Sequence, residues 1–421
     1  MVAPEGWRVH RLSAWAELRS APVIGTVAML VGGLSYSIFG SVLVHGGPLR
    51  LSAPSDLWGL AGSASALVHG QFSHIYIHNG ALTSPPALEF LLAPVIYVGQ
   101  LLGLTPHLHP SGEPLRLWFL LGPSAILIGS SSLFAVDAIA RSWLITGRER
   151  MTLAMVGGLA VANVLVGWGH PEDCVSLALV LWAALDLDRK GMEGGRRAAW
   201  LLGVAIAFQP LAILGVAPIM ARLGWRRSLG LSYRLVLPSL LVLIPSLATE
   251  VHRTLFVLIR QPFQPRYVSS TPLSHWAPSL GPGVAGGGPT RLLATALGAG
   301  LCLVVCHKRH DLATVLAMMA LAFFLRVLLE TEMNWYYLWP VAALCLLLAR
   351  RTRARYALCA AAAVAGMVLG NHRVHEIALW WPALMASTLC MLLTVFLPVR
   401  PGSAIECDGM QVPTGSGLQH E

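Results

Sequence analysis

The chain has 421 residues, 55% hydrophobic and only 12% charged, with a mean hydropathy of +0.65. So few charges cannot solvate the surface of a water-soluble protein, so lipid is the solvent for most of this chain. The formal net charge of +9 marks orientation rather than nucleic-acid binding, because Lys and Arg fall in short clusters between apolar runs.

Taken in chain order, Arg8, Arg11 and Arg19 precede a first apolar run, 22–44, long enough to span and read as a retained anchor. The N-terminus is then cytoplasmic and the segment from His45 to Pro114 exterior. Within it, Ala53-Pro54-Ser55-Asp56-Leu57-Trp58 opens a Gly- and Ala-rich stretch expected to form a short surface helix. Spacing reads Ser55 or Asp56 as that helix's N-cap; the functional alternative makes Asp56 a general base held at the membrane surface. The run 85–104 is read as an amphipathic or partly immersed exterior helix. Counting it as a span would invert every later basic cluster. With it outside, Arg141 to Arg150, Arg189 to Arg197, Arg226-Arg227, Lys308-Arg309 and Arg351 to Arg355 all face the cytoplasm.

The expected fold is an all-α polytopic membrane protein with about twelve transmembrane helices, some short or broken. They lie at 22–44, 115–140, 151–168, 173–187, 197–208, 210–222, 233–249, 291–306, 312–329, 335–349, 356–371 and 377–397. They form a single domain, 1–397, in the inner (plasma) membrane, with both termini cytoplasmic and a disordered tail at 398–421. Gln209-Pro210 reads as two half-depth helices meeting at a break, which lipid tolerates only where protein or a cavity covers the backbone. The cysteines other than Cys407 sit in or beside apolar runs and read as small buried hydrophobes.

Chemistry collects on the exterior side, in the loops 45–114 and 250–290 and the turns between spans. Gly169-His170-Pro171-Glu172-Asp173 is either a helix start favoured by Pro and two acids, or a place where His170, Glu172 and Asp173 hold a divalent cation or a sugar's hydroxyls. Arg253, Arg260 and Arg266 are either solvated loop charges or a bidentate grip on a lipid-linked phosphate. The run Asn334-Trp335-Tyr336-Tyr337-Leu338-Trp339-Pro340 suits an interfacial aromatic belt and equally a stacking surface for a sugar. Gly286-Gly287-Gly288 reads as a flexible loop. No Walker loop, dinucleotide fingerprint or zinc helix is present, and no cofactor is required.

Three of these features together resemble the GT-C superfamily of membrane glycosyltransferases, especially the polyprenyl-phosphate-mannose-dependent mannosyltransferases of actinobacteria. The first is Asp56 in the first exterior loop, followed by a surface helix and Leu82-Thr83-Ser84-Pro85-Pro86-Ala87-Leu88. The second is the acidic turn at 169–173, followed by a Leu-rich helix, a basic turn and Leu202 to Pro210. The third is the aromatic run at 334–340. The resemblance implies inverting transfer of a sugar, mannose first among the candidates, from a polyprenyl phosphate to a lipid or cell-envelope glycan, with Asp56 as base. It also implies substrate contacts from His170, Glu172, Asp173, Gln209, Asn334, Trp335 and Tyr336, membrane lipids as partners and no nucleic acid. Where the family often has Lys-Pro this chain has Gln209-Pro210, and Ser84 stands where an aromatic is expected. The phosphate-binding charge is therefore expected from Arg253, Arg260 or Arg266. The rival readings are a transporter or flippase of lipid-linked sugar, and a catalytically silent glycan-binding protein. Against the transporter, charges crowd one interface and only Arg326 lies near a helix middle, one turn from Glu330.

Overall fold

The computed structural model describes residues 19–45, 54–76, 84–104, 117–263, 271–306, 311–349, 352–371 and 377–397. They form an all-α bundle. Helix α1 (Ser20–His45) leads to a helical hairpin of α2 (Ser55–Val68) and α3 (Ala87–Leu101). There follow α4 (Trp118–Gly129), α5 (Ser131–Ser142), α6 (Gly147–Ala162), α7 (Pro171–Lys190), α8 (Gly195–Phe208), α9 (Ile213–Ala221), α10 (Trp225–Thr249) and α11 (Val251–Arg260). After a small sheet come α12 (Gly288–Cys306), α13 (Leu312–Leu328), α14 (Trp339–Ala349), α15 (Arg353–Asn371) and α16 (Ile377–Phe396).

Among the described residues, six helical segments are long and apolar enough to cross a membrane: Ser20–Phe39, Trp118–Ser142, Gly147–Trp168, Arg226–Thr249, Gly288–Cys306 and Leu379–Phe396. The protein is membrane-embedded. The other apolar helices are shorter or more charged than the sequence reading allowed. α7 carries acids in its first turn and Arg189 and Lys190 in its last, an arrangement that complements the helix dipole at both ends. α8 has 14 residues, about 21 Å of rise, against a hydrocarbon core of about 30 Å.

Successive helices pack antiparallel, α7 along α8, α12 along α13 and α15 along α16, so the chain shuttles between two ends of the bundle. One end gathers the basic turns. There Arg222 meets Asp188 at 3.3 Å and Arg197 meets Asp186 at 3.1 Å. Arg150 grips the buried Asp137 at 2.7 and 3.0 Å, with Arg141 on the same carboxylate. Helix starts at this end are fixed locally, by a Thr146–Glu149 capping box and by Asp311, whose carboxylate accepts from Thr314 N–H at 2.8 Å. The opposite end holds the start of α2, the start of α7, the close of α8 and the start of α14.

α14 is apolar on all sides and buried along its whole length, as a helix at the centre of a bundle must be. α10 instead turns Leu229, Val236, Leu240 and Ile244 outward, the face a helix presents to lipid. Cys174, Cys302, Cys306, Cys345 and Cys359 are buried free thiols, as expected of small hydrophobes.

Three expectations are corrected. The stretch after Asp56 is no surface helix, because Leu57, Leu60, Ala61 and Ala64 are buried against α3. The N-cap of α2 is Pro54, with no side-chain cap bond, and Asp56 lies in the first helical turn. The glycine run is not a loose loop: Val284–Gly286 is the central strand of an antiparallel three-stranded sheet with Pro262–Phe263 and Ser279–Gly281. Gly288 opens α12 against Ile259, where a Cβ would collide with the Ile259 carbonyl.

Candidate active site

The turn that opens α7 organises the site. α6 runs into a π-helical segment, Asn163–Trp168, which ends at Gly169 in the left-handed region with φ 83°. π-segments inside helices recur at functional sites. A Cβ on Gly169 would lie 2.8 Å from Leu57 N and 3.0 Å from Pro54 Cγ, so only glycine lets the start of α2 settle on this turn. That approach carries Asp56 to His170.

His170 Nε2 lies 3.0 Å from Asp56 Oδ2 and its Nδ1 2.6 Å from Glu172 Oε1. A carboxylate faces each ring nitrogen, so both nitrogens carry protons and donate. Burial opposes that charge, but the Glu172 charge and the hydrogen bonds to Asp56 and Glu172 outweigh it and hold the imidazole well above its usual range. The face of the ring stacks on Tyr336, centroids 4.0 Å apart and planes 24° from parallel. Tyr336 meets Tyr337 edge-on at 4.5 Å and Trp168 at 5.6 Å.

The next acid, Asp173, is also buried. Its Oδ1 accepts from Gln209 Nε2 at 2.7 Å. Pro210 makes that contact: the residue before a proline is driven to extended backbone, and Gln209, at φ −149° and ψ 115°, ends α8 there. The helix break is therefore covered by protein, on the side of α7 that carries the acids. Glu172 Oε2 and Asp173 Oδ2 are buried oxygens without a hydrogen-bond partner among the described residues.

His170, Glu172 and Asp173 offer ligand atoms all within 4.8 Å of one another. An imidazole, two carboxylates and the free oxygens beside them could ligate a divalent cation completed by water, or accept hydrogen bonds from the hydroxyl groups of a ligand.

No protein-family model and no curated protein matches the chain.

Of the residues singled out from sequence, Asp56, His170, Glu172, Asp173, Gln209 and Tyr336 come together. Tyr336 is buried on His170, which removes it from any interfacial belt. Asn334 sets the backbone of the turn, its carbonyl accepting from Tyr337 N–H at 3.1 Å. Trp335 opens the 3₁₀ turn Trp335–Leu338, and its side chain lies outside the described residues. Arg253 and Arg260 are exposed on α11, and no described contact joins them to Asp56 or His170. Arg266 lies outside the described residues.

The cations beside the site are others. Arg326 lies over Tyr337, its guanidinium carbon 4.5 Å from the ring centroid, and pairs with the buried Glu330. Arg291 reaches the same carboxylate at 3.2 Å. The pairing of Arg326 with Glu330 was legible from their four-residue spacing; Arg291, 39 residues away, left no signal. Glu89 was placed on the exterior side by the sequence but not assigned to the site. It is fully buried on α3, with both oxygens unpartnered among the described residues. Burial, opposed by its backbone and reinforced by Glu172, raises its carboxyl well above the usual range.

Proposed function

We propose that the protein is an inverting glycosyltransferase of GT-C type that moves a sugar, mannose first among the candidates, from a polyprenyl phosphate to a lipid or envelope-glycan acceptor. The observation that carries this reading is the Asp56–His170–Glu172 array, assembled from residues 114 apart at the end of a membrane bundle opposite its basic turns. In this reading about twelve helices cross the bilayer, the basic end is cytoplasmic with both termini, and the array faces the exterior.

Asp56 is the base. Its side chain is 39% exposed, against 7% for Glu172, so an acceptor reaches Asp56 while His170 and Glu172 hold it from behind. The acceptor hydroxyl gives its proton to Asp56, and its oxygen attacks the anomeric carbon. The bond from that carbon to the phosphate oxygen breaks, and polyprenyl phosphate leaves with the electron pair. To reach the free, buried oxygens of Glu172 and Asp173, sugar hydroxyls must part the packing beside Tyr336 and Tyr337. Two guanidinium groups on Glu330 leave one positive charge in excess, and Arg291 and Arg326 take the role for the leaving phosphate first expected of Arg253, Arg260 or Arg266.

The test is made in proteoliposomes containing radiolabelled polyprenyl-phosphate mannose. The proposed reaction moves label covalently into a new glycolipid with the anomeric configuration inverted. A flippase moves the intact donor between leaflets and leaves all label on polyprenyl phosphate, and that result overturns the proposal.

A further inference from the structure

α11 (Val251–Arg260) has three different faces. It leaves the axis of α10 at Glu250, whose φ of −152° and ψ of 69° break the helical path, and so lies at the end of the bundle that carries the candidate site. At roughly 3.6 residues per turn, Thr254 and Val257 share the face that is buried in the protein. Val251, Leu255 and Ile259, spaced by four, form a second, exposed stripe, with Ile259 59% exposed. Arg253 and Arg260, spaced by seven, form a third face on the side away from that stripe, and both are exposed.

These faces fix the surroundings. A row of large exposed hydrophobic side chains is costly in water, and two exposed guanidinium groups are costly in hydrocarbon. Ten residues rise about 15 Å, too short to cross a core of about 30 Å. The boundary between bilayer and water satisfies both faces at once. No acid lies within the helix, so the side carrying Arg253 and Arg260 complements a negative surface.

We infer that α11 is an interfacial helix lying along the membrane surface, with Val251, Leu255 and Ile259 among the acyl chains and Arg253 and Arg260 on the phosphates of anionic phospholipid headgroups. Its C-cap, Gln261, accepts a hydrogen bond from Arg291, which in turn holds Glu330. Seating of the helix in the lipid surface thus bears directly on the charge network beside the candidate site. The inference rests on membrane embedding and stands apart from the proposed reaction.

Spin labels on the full chain in nanodiscs of phosphatidylcholine and phosphatidylglycerol test the geometry, at Leu255→Cys, Ile259→Cys and Arg253→Cys. Relaxation by oxygen at 255 and 259, with relaxation by a water-soluble nickel chelate at 253, is expected. Equal access of the nickel chelate to all three positions overturns the interfacial placement. The headgroup assignment is tested separately. Raising the phosphatidylglycerol fraction raises the unfolding temperature of the native protein, and R253Q/R260Q loses that rise; an equal rise in both proteins overturns it.

Discussion

Two carboxylates on one imidazole decide what His170 is. A neutral ring donates from one nitrogen only and leaves the other facing an acceptor across 3.0 Å or less. The native ring holds its proton more tightly than the unfolded ring, whose pKa is about 6.5. The stabilisation it supplies is therefore complete below that pH and is lost as pH rises through the elevated native value. In detergent, the gap in unfolding temperature between the native protein and His170→Gln should be widest at mildly acidic pH and narrow toward alkaline pH. A gap independent of pH contradicts the imidazolium. The residue scale also marks the limit of sequence reading. Asp56, His170 and Glu172 were each singled out, yet each also had a local role at a helix start. What separates the roles is a contact across 114 residues, which no local spacing encodes.

The elements that make this contact are held by small features. Gly169 is one of them. Gly169→Ala places a side chain at φ 83° and drives it into Pro54 and Leu57, so it should cost about 1–3 kcal/mol and part Asp56 from His170. Thermal unfolding and the activity assay together check it; an alanine variant with native stability and activity would show that α2 need not sit there. The Arg326–Glu330–Arg291 cluster is the second feature. Glu330→Ala leaves the buried Arg326 and the half-buried Arg291 without their shared partner and should destabilise the protein by about 3–5 kcal/mol, read as a large drop in unfolding temperature. Most helices were legible from apolar runs, and the break at Gln209 from Pro210. The burial of α2 was not, because its Gly, Ala and Ser residues carry a weak periodic signal and its partner α3 lies beyond a long connection. The glycines at 286–288 misled for a related reason: they serve close packing of strand and helix, and sequence alone does not distinguish that use from flexibility.

At the scale of the whole molecule, charge is sorted to two ends. The basic turns gather at one, the Asp56–His170 array and the aromatic residues at the other. This sorting was readable in the sequence because positive charge marks the cytoplasmic side, and so were α8 and α9, marked at 197–208 and 210–222; the number of crossings was not, since each of the two is shorter than the hydrocarbon core. A membrane-impermeant maleimide added to intact cells should label Trp276→Cys at the site end and spare Arg197→Cys until the membrane is opened; the reverse pattern would invert the protein. The central claim is that Asp56 is the base of a sugar transfer, and the measurement that tests it most directly is transfer of radiolabelled mannose from polyprenyl-phosphate mannose into membrane lipids, native protein against Asp56→Asn at matched expression. Transfer by the native protein with a loss of about 10²-fold or more in the variant is the predicted result; equal transfer by both proteins would contradict it.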